Sequence, residues 1–263
     1  MKEATTLALH RFSREELLIG EEGLKVLKEA TVTVFGIGGV GSYAVEGLAR
    51  AGVGKLILVD YDDVCLTNIN RQIHALQSTI GKQKVDLMAE RVKEINPICQ
   101  VVIHREFYTP QNSDKLLNNE YSYVIDAIDN MTGKIDLVKK CTEMNIPIVC
   151  AMGAGNKLDP TAFQVADIYQ TSNDPLAKIM RRELRKVGIK KLKVVYSTEK
   201  PVTPKATTAD CKTNCVCTNK DFVANCTLRR QIPGSISFVP SVMGLILAGV
   251  VVNDLLKTAN IEV

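Results

Sequence analysis

The stretch Thr31–Asp62 reads TVTVFGIGGVGSYAVEGLARAGVGKLILVDYD, and the rest of the chain is organised around it. Its β-branched start predicts a buried strand over Thr31–Phe35, and the apolar run Lys55–Val59 predicts a second strand. Between the two strands lie a glycine-rich turn and a helical pattern from Ser42 to Ala51. Glycines let a backbone approach a phosphate closely, and a helix N-terminus offers free N–H groups to an anion. The stretch therefore predicts nucleotide binding, although the glycine turn alone does not say which nucleotide.

The first candidate ligands of that nucleotide are the glycines of the turn, spaced Gly-x-Gly-x-x-Gly. They are Gly36, Gly38, Gly39 and Gly41. Asp60 follows the second strand, where a carboxylate is placed to accept hydrogen bonds from ribose hydroxyls.

The alternation of strands and helices predicts an α/β fold with a doubly wound, mostly parallel sheet. The first 151 residues form its Rossmann-like nucleotide-binding half. Beyond them, Ala162–Ile168 and Lys193–Ser197 are predicted strands with a helix over Pro175–Val187 between them, so that a C-terminal extension continues the sheet. We expect one domain over residues 1–263, with halves at 1–151 and 152–263.

Three helices near the two ends of the chain complete this prediction. Ser13 is the expected N-cap of a helix over Glu15–Ile19, which a second helix over Glu21–Glu29 follows. Near the C-terminus, Phe238–Leu256 is apolar almost all round, which predicts a helix buried in the protein or at a subunit interface.

Composition indicates a soluble, cytoplasmic protein. The chain is 46% hydrophobic and 24% charged, as in globular domains, and its formal net charge is +4. The N-terminus lacks the pattern of a signal peptide, and the apolar run Val242–Val252 is too short to span a bilayer, so we expect no membrane association. Eight cysteines scattered in this way suit a reducing compartment.

The segment after Asp60 favours ATP over a nicotinamide cofactor. It supplies Asn68, Arg71 and Lys84, and two cations beside a phosphate-binding turn suit a triphosphate whose pyrophosphate must leave. Asp129 follows a later strand, where open α/β sheets bind ligands, and is a candidate magnesium ligand. Taken alone, Lys84 also fits a surface salt bridge and Asp129 a turn cap.

Four motifs in this order carry a resemblance to a known superfamily: GIGGVG, LVDYDDVCLTNINRQ, GKQKV and DAIDN. Together they resemble the adenylating superfamily of ubiquitin-activating enzymes and of the bacterial enzymes that activate the sulfur carriers of molybdopterin and thiamine synthesis. The resemblance runs from Arg11 to about Ala151. It implies an adenylating domain that uses ATP and magnesium.

The resemblance also implies residue roles. Gly39 and Gly41 would contact phosphates, and Asp60 the ribose. The triphosphate would be held by Asn68, Arg71 and Lys84. Asp129 would bind magnesium, with Asn130 beside it in the nucleotide-binding motif. Arg14 would reach the ATP of a partner subunit, which implies a homodimer.

A second resemblance covers the C-terminal half and narrows the subfamily. Sulfur-carrier activators usually have arginine where this chain has Lys134, and a Cys-x-x-Cys zinc pair in a region where this chain has no cysteine. The segments 174–188, 195–199 and 230–235 are instead similar to tRNA threonylcarbamoyladenosine dehydratases. That subfamily implies ATP-dependent cyclisation of a modified adenosine next to the tRNA anticodon, through adenylation of its carboxylate.

The helix over Pro175–Val187 has a basic side. An apolar stripe runs along one face; it consists of Leu176, Met180, Leu184 and Val187. The remaining faces carry the candidate tRNA contacts, which are Lys178, Arg181, Arg182, Arg185 and Lys186. A simply solvated basic face is the alternative.

The late cysteines Cys211, Cys215, Cys217 and Cys226 are spaced C-x3-C-x-C-x8-C, which is not a standard zinc pattern. We expect no zinc, and free thiols or redox pairing remain open. A cysteine desulfurase or a sulfur-acceptor protein is a candidate partner, because some relatives use a sulfur relay. Three other functions also remain open: activation of a ubiquitin-like sulfur carrier, a dinucleotide-dependent oxidoreductase, and a tRNA-binding scaffold without catalysis.

Overall fold

A seven-stranded sheet forms the centre of the part of the chain that the structure, a computed structural model, describes: residues 9–205 and 233–261. The strands are β1 (Thr31–Phe35), β2 (Lys55–Val59), β3 (Gln100–His104), β4 (Tyr123–Asp126), β5 (Ile148–Ala151), β6 (Phe163–Asp167) and β7 (Lys193–Ser197). Their order across the sheet is β3-β2-β1-β4-β5-β7-β6. Pairing is parallel from β3 through β7, and β6 joins β7 antiparallel as an edge strand. The predicted doubly wound fold and its C-terminal extension are confirmed.

Helices cover both faces of the sheet. Those of the described residues are α1 (Ser13–Glu29), α2 (Gly41–Arg50), α3 (Lys84–Ile95), α4 (Ser113–Leu116), α5 (Met131–Glu143), α6 (Pro175–Lys186) and α7 (Phe238–Thr258). One face packs against α2, α3 and α7, and the other against α4, α5 and α6. Such two-sided burial explains why β1, β2 and β4 are buried along nearly their whole length rather than at alternate residues.

The N-terminal helix differs in detail from the prediction. The two expected helical segments meet at Gly20, where φ is 69° and the helix kinks. Ser13 is not the N-cap: Phe12 occupies that position, and the Ser13 hydroxyl instead accepts a hydrogen bond from the His10 N–H at 2.7 Å. The expected cap was wrong because the loop before the helix turns back onto Ser13.

The C-terminal helix α7 is long and apolar enough, by length and composition alone, to cross a membrane. It is nevertheless a packed helix, because Val239, Met243, Leu247 and Val251 are wholly buried against α2 and the sheet. Its other side exposes Leu245 and Phe238. Core helices of soluble proteins meet the same length and composition criterion.

The sheet topology positions a ligand crevice. Successive connections run from β1 outward to β2 and β3, and the chain then crosses to β4 on the other side of β1. The carboxyl ends of β1 and β4 therefore border a topological switch point, which is where open α/β sheets bind ligands. The glycine turn follows β1, and the segment 127–130 follows β4, so both lie at this crevice.

Candidate active site

The glycine turn after β1 packs against the exit of β4. Gly36 has φ of 87°, and a Cβ added to it would lie 2.6 Å from the Ala127 carbonyl oxygen. A Cβ on Gly41 would lie 1.8 Å from the carbonyl oxygen of Gly36 itself. Close backbone approach within the fold thus accounts for these two glycines. Gly38 and Gly39 differ, because a Cβ there would meet side chains: Gln72 at Gly38, and both Pro240 and Arg71 at Gly39.

Asp60 fixes the glycine turn through a hydrogen bond to its backbone. Its Oδ2 accepts a hydrogen bond from the Ile37 N–H at 2.6 Å, and its Oδ1 accepts one from the Asp62 N–H at 2.8 Å. The carboxyl is buried, and burial raises its pKa, an effect that nearby Lys84 opposes. Its partners are therefore one backbone N–H of the turn and that of Asp62, and a ribose contact would use the remaining lone pairs.

Lys84 is buried in an ion pair rather than exposed at the surface. Its Nζ lies 2.7 Å from Asp62 Oδ2, and only 4% of the residue is exposed. Burial by itself would lower the pKa of Lys84, but the Asp60 and Asp62 carboxylates outweigh it and raise the pKa above its ordinary value. The group therefore carries a full positive charge close to the phosphate-binding turn.

Arg71 is held against the turn by the short 3-10 helix Leu66–Asn68 that precedes it. One guanidinium nitrogen donates to the Thr67 carbonyl at 2.7 Å and to Asn70 Oδ1 at 3.0 Å. A Cβ on Gly39 would lie 3.4 Å from Arg71 Cγ, so the side chain runs beside the turn. Asn68 is buried, and its Oδ1 accepts from the Cys65 N–H at 3.0 Å, which fixes the 3-10 turn.

In the segment after β4, the structure shows which of the two polar residues Asp129 and Asn130 caps the next helix. Asp129 is exposed, whereas Asn130 is the N-cap of α5, its Oδ1 accepting from the Gly133 N–H at 2.8 Å. The cap is therefore Asn130 and not Asp129. Asp129 lies exposed in the segment that follows the carboxyl end of β4, and its role as a magnesium ligand stays a prediction.

Comparison with known proteins shows the family. Residues 12–262 match the ThiF family. The chain belongs to the ThiF family. It is 49% identical over 255 residues to the tRNA threonylcarbamoyladenosine dehydratase of Bacillus subtilis, covering 97% of this chain and 98% of that protein.

Relatives within the ThiF family differ in how much of the chain they match. The Escherichia coli tRNA N6-threonylcarbamoyladenosine dehydratase, solved in complex with ATP, superposes with a TM-score of 0.81 at 36% identity, and 95% of both chains is covered. An adenylyltransferase and sulfurtransferase of Culex quinquefasciatus is 38% identical over only 53% of this chain and 32% of its own length. The similarity to the dehydratases thus extends through both halves.

The basic helix α6 is more structured than the sequence indicated. Arg181 is half-buried and bonds Thr171 through its carbonyl oxygen, at 3.0 Å, and its hydroxyl. Arg185 lies 5.1 Å over the Tyr169 ring, and Arg182 and Lys186 both pair with Glu183. Lys178 is exposed. Arg181 therefore helps to fix the helix to the rest of the protein, while the other four candidate tRNA contacts on α6 are exposed to solvent.

The apolar side of α6 is one turn shorter than predicted. Met180 and Leu184 are wholly buried, together with Ala177, but Val187 lies past the end of the helix and is 43% exposed. The helix ends at Lys186, one residue before the predicted end at Val187, and the left-handed Gly188 then redirects the chain.

Arg14 lies on the exposed surface of α1, close in sequence to Leu17 and Leu18, which are 85% and 76% exposed. A pair of leucines this exposed is unusual for a surface that faces only water. The predicted role of Arg14 requires a partner subunit, and its surface position is compatible with that role.

Sequence reasoning missed two buried ion pairs at the carboxyl end of the sheet. Lys134 Nζ lies 2.7 Å from Asp126 Oδ2, and Lys157 Nζ lies 3.3 Å from Asp174 Oδ2, with all four side chains almost wholly buried. An acid at the end of the apolar run Tyr123–Asp126 was the available signal for the first pair. No local sequence pattern indicated the second ion pair. The late cysteines lie outside the described residues, and no cluster of potential metal ligands occurs among those that are described.

Proposed function

We propose that this chain is an ATP-dependent tRNA threonylcarbamoyladenosine dehydratase, which closes a ring on a modified adenosine next to the anticodon. The observation that carries the proposal is the near full-length similarity to a dehydratase, joined to a crevice that holds Arg71 and Lys84 beside a glycine turn. Adenylation of a carboxylate needs these elements: a phosphate cradle and fixed positive charge.

The reaction begins with attack of a carboxylate oxygen of the substrate on the α-phosphorus of ATP. The bond from that phosphorus to the bridging oxygen breaks, and pyrophosphate leaves with the electron pair. Arg71 and Lys84 stabilise the growing charge on the leaving group, because both are held in place before the reaction. Asp129 would hold a magnesium ion, which would help to neutralise the charge of the phosphates, and Asp60 would contact the ribose.

The second step forms the ring. A nitrogen or oxygen of the same side chain attacks the acyl carbon, AMP leaves with the carboxylate oxygen, and the attacking atom loses its proton. The net change is loss of one water from the nucleoside. Because the nucleophile belongs to the substrate, the protein contributes positioning and charge stabilisation.

The exposed basic side chains of α6 hold the tRNA. Lys178, Arg182, Arg185 and Lys186 face solvent on one helix, and side chains of this kind contact phosphate backbones. Arg181 contributes by fixing the helix to Thr171.

The active form is a cytoplasmic homodimer in which Arg14 of each subunit reaches the ATP of the other. The exposed Leu17 and Leu18 supply apolar surface for that contact. A cysteine desulfurase or sulfur-acceptor protein remains a candidate partner by family resemblance.

The decisive experiment is mass analysis of nucleosides from tRNA that carries threonylcarbamoyladenosine, after incubation with the protein and MgATP. We expect a nucleoside lighter by one water, with AMP and pyrophosphate formed in equal amounts. ADP and phosphate as products would mean that an acyl phosphate forms instead, and unchanged nucleosides would contradict the dehydratase.

The second candidate is activation of a ubiquitin-like sulfur carrier, which the partial similarity to an adenylyltransferase and sulfurtransferase favours. A thioester route of that kind needs a thiol near the adenylate. Replacing Cys211, Cys215, Cys217 and Cys226 together by serine should leave ring closure at least partly active. Complete loss in a folded variant, with an acyl adduct trapped on a wild-type cysteine, would favour the thioester route.

A further inference from the structure

Residues 233–235 (Pro-Gly-Ser) connect the two halves of the protein at the carboxyl edge of the sheet. On one side, the Gly234 N–H donates to Asn156 Oδ1 at 2.6 Å, and the Gly234 carbonyl accepts from the Asn156 N–H at 2.8 Å. On the other side, the Ser235 carbonyl accepts from Asn70 Nδ2 at 2.9 Å. One short segment thus joins the loop after β5 to the loop that carries Arg71.

Asn156 has the backbone conformation that this pairing needs. Its φ is 59°, in the left-handed region that asparagine, aspartate and glycine tolerate best. In this conformation both its N–H and its side-chain oxygen meet Gly234, while its carbonyl accepts from the Val202 N–H at 2.7 Å. The preceding Gly155 allows close approach, since a Cβ there would lie 2.8 Å from Pro233 Cβ.

The loop that carries Asn156 is itself fixed. Asp174 Oδ2 accepts from the Gly153 N–H at 3.1 Å and pairs with Lys157. The other oxygen of Asp174 caps α6 through the Ala177 N–H at 2.9 Å. The loop on which Asn156 lies is therefore held to the N-terminus of α6 by hydrogen bonds and an ion pair.

Asn70 connects residues 233–235 to the Arg71 side chain through hydrogen bonds from both ends of its amide. An asparagine amide has a donor end and an acceptor end, so donation from Nδ2 to the Ser235 carbonyl fixes where Oδ1 lies. That Oδ1 accepts from the Arg71 guanidinium at 3.0 Å. The orientation of Arg71 beside the glycine turn is thus tied to Gly234, and through it to Asn156.

We propose that Asn156 is a positioning residue that holds Arg71, through residues 233–235 and Asn70, in the orientation that the β- and γ-phosphates of ATP require. The inference rests on the proposed function only in giving Arg71 a triphosphate to bind. Asn156 contacts neither nucleotide nor tRNA in this role.

The test compares binding of MgATP with binding of AMP, without tRNA, for Asn156→Gly and Asn156→Asp. Glycine keeps the left-handed backbone but removes the acceptor, whereas aspartate keeps both. We expect Asn156→Gly to weaken MgATP binding about fivefold, the effect of one lost hydrogen bond, and to leave AMP binding within about twofold. Asn156→Asp should bind both as the wild type does. The matched control is Asn145→Gly, at a second left-handed asparagine (φ 56°), which is exposed and lies between α5 and β5 at the amino ends of the strands.

A double-mutant cycle makes the route explicit. In an Arg71→Ala background, Asn156→Gly should cause no further loss of MgATP affinity, because the arginine it positions is gone. Equal weakening of ATP and AMP by Asn156→Gly, or a further loss in the Arg71→Ala background, would overturn the inference.

Failure of this inference is separable from failure of the proposed function. Turnover of threonylcarbamoyladenosine by the wild type is measured in parallel. A wild type that binds ATP and leaves the tRNA unchanged contradicts the dehydratase and leaves the binding test valid. A wild type that closes the ring, with an unchanged ATP-to-AMP affinity ratio in Asn156→Gly, contradicts the inference alone.

Discussion

Lys134 Nζ lies 2.7 Å from Asp126 Oδ2 at the carboxyl end of β4, and both side chains are shielded from solvent. The other carboxylate oxygen of Asp126 accepts from the Ile128 N–H at 3.2 Å. The pair therefore shapes the turn that leads from β4 to Asp129. It joins the strand to the first turn of α5, where the ligand crevice opens.

Lys134→Met should lower the free energy of unfolding by roughly 3–5 kcal/mol, because it leaves the Asp126 carboxylate buried without a cation. Urea unfolding measures the change. The double variant Asp126→Asn with Lys134→Met removes both charges and keeps an acceptor for Ile128, so it should regain much of the loss. A double variant no more stable than Lys134→Met would show that the charge imbalance is not the cause.

Arg71→Ala and Lys84→Ala should each lower turnover about 100-fold or more, as expected for losing a fixed charge that stabilises the leaving pyrophosphate. Lys84→Ala should also lower the melting temperature, since it leaves Asp60 and Asp62 without their cation. Lys82→Ala is the matched control, because Lys82 is exposed two residues away. Near-normal turnover in either variant would remove that residue from the site.

Replacing Lys178, Arg182, Arg185 and Lys186 by alanine should weaken tRNA binding and flatten its dependence on salt, while ATP binding is spared. Filter binding at several salt concentrations measures the slope. Arg181 is left in place because its bonds to Thr171 hold the helix. The control replaces Lys115 and Lys139, exposed lysines of α4 and α5. An unchanged slope would return α6 to the solvated-face interpretation.

Leu17→Glu with Leu18→Glu should give a monomer in sedimentation, because two charges would face each other across the proposed interface. Ile98→Glu, at another exposed apolar side chain, should leave the dimer intact. Arg14→Ala should stay dimeric but lose turnover.

Mixing Arg14→Ala and Arg71→Ala subunits then tests whether Arg14 acts on the partner subunit. A mixed dimer has one complete site, so random exchange should restore about a quarter of wild-type turnover. No recovery after verified exchange would mean that Arg14 acts within its own subunit.

His74 should make stability depend on pH below neutrality. Burial, together with Lys84 and Arg91, lowers its pKa to about 3, so it is neutral in the folded protein. The unfolded state binds a proton near pH 6.5, so the stability that neutral His74 contributes is complete above that pH and is lost as pH falls towards 3. Wild type should lose about 2 kcal/mol more than His74→Phe between pH 7 and pH 5 in urea unfolding. Parallel losses in both proteins would contradict this pKa.

The sequence by itself determined the fold and the family. β-Branched and apolar runs indicate which segments become strands, and the glycines after β1 indicate a turn with close backbone approach. Local motifs also marked Arg71, Lys84, Asp129 and Asp60 as one candidate site. The structure places Arg71, Lys84 and Asp60 at or near the glycine turn and Asp129 in the segment after β4 that packs against this turn, while the catalytic roles stay predictions.

Only the tertiary structure decided which polar side chains have their hydrogen-bond or ion-pair partners within the protein. Asn130 caps α5, Arg181 binds Thr171, and Lys84 is buried against Asp62. Sequence alone did not reveal the link from Asn156 through residues 233–235 to Asn70, in which Asn70 and its partner Ser235 lie 165 positions apart. Such contacts depend on where the sheet brings distant loops together, because hydrogen-bond partners are chosen by distance in space and not by spacing along the chain.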